Sequence, residues 1–91
     1  MIGESARALG AIVHKIRREL LMTLGQLGGE VGAAPATVCR WEYGGSLPDK
    51  GHLKALQRLA PGYADELAAL WGSGRDEVSE HLKALRGKGA E

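Results

Sequence analysis

The amino-acid sequence predicts an all-α fold, a compact bundle of five to six short helices, on three observations. Apolar residues recur at three- and four-residue steps, no segment shows the sustained period-two alternation of a half-buried strand, and the periodic segments are joined by short turns rich in Gly and Pro. The absence of phenylalanine and the few other aromatics leave a core of Leu, Ile, Val and Ala, which suits close helix packing and counts against a β-sandwich. At 91 residues and 9.6 kDa the chain has room for one modest core.

The first helix is expected from Ser5 to about Leu21, because Leu9, Ile12, Val13, Ile16 and Leu20 share a stripe while Arg7, His14, Lys15 and Arg18 occupy the wet side. Thr23-Leu24-Gly25-Gln26 has the form of a capping box, so a second helix starts at Leu24 and buries Leu24, Leu27 and Val31. Gly28 and Gly29 in this helix would let another backbone approach closely. Gly32 suits the left-handed residue that ends a helix and Pro35 the first position of the next, giving a third helix from Pro35 to Tyr43 stopped by Gly44-Gly45. Asp49 is the expected cap of a fourth helix carrying Leu53, Leu56 and Leu59, which Pro61-Gly62 ends. Tyr63, Leu67, Leu70 and Trp71 mark a fifth. Gly72-Ser73-Gly74 reads as a hinge, dividing residues 1–72 from a terminal helix, Arg75 to Arg86, and a frayed tail within 73–91. That last helix has Ser73 as its cap, Asp76 and Glu77 early, and Lys83 and Arg86 late, matching the macrodipole.

Composition excludes several functions. A net charge of +1 rules out the strong overall basic field of a histone-like protein, so any attraction for polyanions must be a local patch. A single cysteine cannot form an intramolecular disulfide, and His14, His52 and His81 lie far apart with no partners at ligand spacing, so no metal or other cofactor is expected. No nucleophile and base pair up, and an enzyme is not expected. Without a signal peptide or a run of eighteen apolar residues, a cytoplasmic location and no membrane association are expected.

Two short helices separated by Gly32-Ala33-Ala34 have the spacing of a helix-turn-helix unit, and this combination points to nucleic acid. Val38 and Trp41 give the third helix a buried stripe, while Ala36, Thr37, Cys39 and Arg40 project from its other side. Arg17, the Thr23-Leu24-Gly25-Gln26-Leu27 start, Gly32, Pro35, Thr37-Val38, Arg40-Trp41-Glu42, Gly44 and Pro48, taken in order, resemble the phage repressor and Cro-like helix-turn-helix family, also called the xenobiotic-response-element type. The resemblance covers roughly residues 9 to 60. It implies a lambda-repressor-like five-helix domain, the third helix in the major groove of double-stranded DNA, and a homodimer.

Position by position, the resemblance implies Pro35, Ala36 and Arg40 at base edges, Thr23 and Thr37 near phosphates, and Lys50 and His52 as further backbone contacts. It also implies that Arg17 and Glu42 form an ion pair tying the first helix to the third. Family members often carry Gln after the threonine, Ser before the recognition helix and long polar side chains at its start, where this chain has Leu24, Ala34, Pro35 and Ala36. Of the three base-edge positions, only Arg40 could grip a guanine edge, so direct readout should be sparse and DNA shape correspondingly important.

The expected function is a small bacterial or phage transcriptional regulator, a repressor occupying its operator. The alternatives are the antitoxin of a toxin-antitoxin pair and a helix-turn-helix module that binds a protein partner. Trp41 and Val38 are read as packing, Trp71 as core or interface, and Cys39 as a small tolerated residue. Val78, Leu82 and Leu85 form a narrow apolar stripe on the terminal helix that either covers the bundle or pairs with its twin in a second subunit.

Overall fold

A computed structural model describes residues 3–89 of the chain, and among them every regular element is helical. In chain order these are α1 (Glu4–Glu19), α2 (Leu24–Val31), α3 (Pro35–Glu42), α4 (Lys50–Leu59), a single 3-10 turn (Pro61–Tyr63) and α5 (Ala64–Gly89). The core gathers Leu9, Val13 and Ile16 of α1, Leu27 and Val31 of α2, Val38 and Trp41 of α3, Leu53 and Leu56 of α4, and Leu67 of α5. All five helices therefore contribute to one apolar centre. None of the helices is long and apolar enough to cross a membrane.

The starts and stops of the short helices follow the expected chemistry. The Thr23 hydroxyl accepts from the Gln26 amide at 3.1 Å while the Gln26 side-chain oxygen accepts from the Thr23 amide at 2.9 Å, which completes the capping box. Gly32 ends α2 at φ 78°, a conformation that costs other residues energy. Asp49 caps α4 by accepting from the His52 amide at 2.9 Å.

α1 ends two residues earlier than its apolar pattern suggests. Leu20 is its exposed cap, and Leu21 enters the left-handed region at φ 55° with 90% of its surface in water. The turn is held because the Leu21 and Met22 amides bond back to the Arg18 and Arg17 carbonyls, and the Arg17 guanidinium donates to the Met22 carbonyl at 3.1 Å. Tyr43 likewise lies just outside α3 as its cap. Gly28 is tightly crowded, by the Ala33 carbonyl of its own turn, whereas Gly29 faces open space and admits no neighbouring backbone. The close approach occurs instead at Gly10 of α1, where a Cβ would fall 2.8 Å from the Glu42 carbonyl oxygen and closer still to that of Trp41.

The expected hinge at Gly72-Ser73-Gly74 is not a hinge. α5 runs unbroken through all three residues, and Ser73 caps nothing. Each glycine costs a helix about 1 kcal/mol relative to alanine, but tertiary anchors on both sides of the segment offset that cost. Trp71 Nε1 donates to the Pro48 carbonyl at 2.7 Å, the buried Gly74 lies against the Leu47 side chain, and Glu77 accepts from the Ser5 amide at 3.4 Å at the start of α1. A 26-residue helix is about 39 Å long. Its C-terminal half extends past the globule, and the described residues together span 51 × 25 × 19 Å. The helix continues to Gly89 where the sequence suggested fraying from Gly87; positions 90 and 91 lie outside the described residues.

Candidate nucleic-acid interface

α3 is a short helix whose back is fixed and whose front is open. Val38 and Trp41 are fully buried, while Pro35, Ala36 and Arg40 are exposed and Thr37 is half-buried. The Arg40 guanidinium lies along this face, 3.4 Å from the Thr37 hydroxyl. Pro35 occupies the first helical position and no side chain caps the N-terminus, so the start of α3 presents only small groups. The first turn of α2 lies beside it, since a Cβ on Gly25 would sit 3.8 Å from Pro35 Cγ and 3.9 Å from the Thr23 hydroxyl. Thr23, Gly25 and Pro35 thus form one continuous exposed strip leading into Ala36 and Arg40. The Thr23 oxygen already accepts a hydrogen bond from Gln26, but its own proton remains free to donate outward.

Four ties set the position of α3. The apolar stripe is one and the Gly10 crossing is the second. The third is the ion pair expected from the sequence: Arg17 Nε donates to Glu42 Oε2 at 2.7 Å and its terminal nitrogen to Oε1 at 3.0 Å, a two-point grip that fixes orientation as well as distance. His14 Nδ1 reaches the same Oε1 at 2.9 Å. Burial pushes the Glu42 carboxyl up, but the hydrogen bonds from Arg17 and His14 outweigh it and hold the group below its ordinary value. The same hydrogen bond raises Arg17 above its ordinary value.

His52 supplies the fourth tie. Its Nε2 lies 3.1 Å from the Gly32 carbonyl and its Nδ1 3.1 Å from Asp49 Oδ1, and the ring tilts against Trp41 with centroids 5.2 Å apart. The Nε2 contact with the Gly32 carbonyl latches α4 onto the end of α2 and turns that edge of the ring inward. Lys50, two residues before His52 at the start of α4, is exposed. The free Cys39 is half-buried on α3.

Comparison with protein-family models, with characterised proteins and with solved structures yields no match to this chain.

The structure therefore gathers Thr23, Pro35, Ala36, Thr37 and Arg40 on one surface, places Arg17 and Glu42 behind it, and assigns His52 to the framework. Sequence reasoning missed the His14 contact with Glu42, although His14 lies three residues before Arg17 and hence on the same helical face. It also missed the Gly10 crossing and the latch made by His52, neither of which leaves a local signal.

Proposed function

We propose that this protein binds double-stranded DNA sequence-specifically and acts as a small transcriptional repressor of the Cro-like helix-turn-helix kind, with α3 in the major groove. The observation that carries this reading is the open strip from Thr23 through Pro35 and Ala36 to Arg40, presented by a helix that is clamped from behind. An α-helix fits the major groove, and small residues at its N-terminus allow close approach of the backbone to the base edges. Arg40 is the one long donor on that surface and reads guanine O6 and N7; the methyl of Ala36 and the ring of Pro35 offer only apolar contact, of the kind a thymine methyl accepts. Thr23, Thr37 and Lys50 contact phosphates. Two copies on half-sites about 34 Å apart would place both helices on one DNA face.

The reading is tested by binding of the purified chain to a labelled fragment of its own upstream region and to random DNA, at two salt concentrations, with Arg40→Ala beside wild type. Wild type prefers its own fragment, and Arg40→Ala loses about 1–3 kcal/mol of that preference. If neither DNA binds at low salt, the reading fails.

A further inference from the structure

The part of α5 that leaves the globule forms, with the loop before α4, a groove of about 610 Å³. Its floor is apolar, made by Leu47, Pro48, Val78 and Leu82. Its α5 side carries three cations, Arg75, Lys83 and Arg86, against one acid, Asp49. This is a concentrated positive rim on a chain whose net charge is only +1. At 100° per residue Arg75 and Arg86 lie directly beside the Val78, Leu82 and Leu85 stripe, Lys83 lies at the outer edge of the same flank next to Asp76, and Glu80 falls on the side away from the groove. The Arg75 guanidinium stacks 5.2 Å from the Trp71 ring, which holds it at the groove's inner end. Leu82 and Leu85 are 44% and 52% exposed.

We propose that this groove is a docking site for an acidic amphipathic helical segment of another protein. Such a helix would lay leucine-like side chains on the floor and its carboxylates against Arg75, Lys83 and Arg86. From Arg75 to Arg86 the groove wall rises about 16 Å, the length of a three-turn partner helix. A second copy of α5 fits poorly. In an antiparallel twofold pair the same flanks meet, so the three cations would face their own images. In a parallel pair they would face the flank holding His81 and Glu77, and Glu77 is already committed to the Ser5 amide of its own chain. DNA fits poorly as well, because a phosphate backbone offers nothing to cover the apolar floor. The site is separate from the α3 surface and stands or falls independently of the DNA-binding reading.

The test uses the full chain and two fluorescein-labelled three-turn helical peptides that share the same leucine positions, one with glutamates on the flank and the other with lysines there. Anisotropy should show the glutamate peptide binding and the lysine peptide binding at least roughly tenfold more weakly. An Arg75→Glu/Arg86→Glu variant, with its fold checked by circular dichroism, should reverse that preference, and Leu82→Ser should weaken both peptides. Failure of the glutamate peptide to bind, or equal binding of the two, overturns the proposal. So does a concentration-dependent dimer in sedimentation equilibrium that Leu82→Ser dissociates, because a second copy would then be the occupant. Loss of DNA-fragment binding in the Arg75→Glu/Arg86→Glu variant with unchanged peptide preference overturns it in favour of a nucleic-acid surface.

Discussion

Replacing Gly10 and Gly29 by alanine, one at a time, makes the same chemical change in two helices and should move stability in opposite directions. In either helix alanine is intrinsically better than glycine by about 0.8–1 kcal/mol. At Gly29 nothing stands within 4 Å of the new methyl group, so the gain is realised and the domain should be more stable by roughly 0.5–1 kcal/mol. At Gly10 the methyl would sit 2.8 Å from the Glu42 carbonyl oxygen and closer still to Trp41's, and both obstacles are backbone, which no side-chain rotation can clear. α1 and α3 must then part by roughly 0.5–1 Å, enough to forfeit a quarter to a half of each dispersion contact across the crossing. Leu9, Val13, Val38 and Trp41 belong to the core that α1 and α3 share. Overpacking of this kind costs about 1–3 kcal/mol, and an obstacle made of backbone belongs at the upper end. After the propensity gain is set against it, a net loss of about 2 kcal/mol remains.

For a domain of this size that corresponds to a fall in Tm of roughly 10 °C for Gly10→Ala and a rise of a few degrees for Gly29→Ala. Urea titration followed by helical circular dichroism, with the fluorescence of Trp41 and Trp71 as a second probe, would measure both. A neutral or stabilising Gly10→Ala would refute the close crossing of α1 and α3, and with it the idea that this contact sets the position of the exposed helix.

Three further outcomes follow from the same geometry. Because the Glu42 carboxyl is held below its ordinary value in the folded chain, its contribution is complete above the unfolded value near 4.5 and is lost as pH falls through the lower folded value; the wild-type urea midpoint should drop between neutral pH and pH 3 by more than that of Glu42→Gln, and parallel profiles would discard the ion pair as a source of stability. His52→Ala should cost about 1–2 kcal/mol of stability by leaving the Gly32 carbonyl and Trp41 ring without their partner, while the salt dependence of DNA binding keeps its slope; a slope reduced by about one unit would make His52 a phosphate contact after all. Leu21→Gly should stabilise by about 1 kcal/mol, since the residue sits at φ 55° and is almost wholly exposed; equal or lower thermal stability would show that the Leu21 side chain makes contacts worth more than the strain.

Most of α2, α3 and the turn between them was legible because their determinants are local. A threonine three residues before a glutamine, a glycine that must take positive φ and a proline at a first helical position each specify a boundary within one turn of themselves. The hinge at Gly72-Ser73-Gly74 was misread for the complementary reason. Local propensity argues for a break there, and what keeps the helix whole is distant: Pro48, Leu47 and Ser5 meet α5 only after the bundle has formed. The role of His52 was hidden in the same way, because nothing around it in sequence reveals that a carbonyl twenty residues earlier and the Trp41 ring converge on it. The Arg17 and Glu42 pair was foreseen only through the family resemblance, since a separation of 25 residues carries no periodic signal.

The pattern of ties behind α3 bears on how so sparse a surface could discriminate among DNA sequences. One arginine supplies few hydrogen bonds, and each good bidentate contact is worth about 1–3 kcal/mol. If α3 reads DNA as proposed, further selectivity would come from positions the protein does not touch, where the sequence decides how readily the duplex adopts the required shape. That mode of recognition is available only to a reader that does not yield, because a helix free to tilt would adjust itself to any groove and equalise the cost among sequences. The apolar stripe, the Gly10 crossing, the two-point Arg17 grip on Glu42 and the His52 latch together hold α3 and its preceding turn. Under the DNA-binding reading, loosening one of these ties should therefore erode the preference for the operator more than it erodes binding to random DNA, whereas removing Lys50 should weaken both equally.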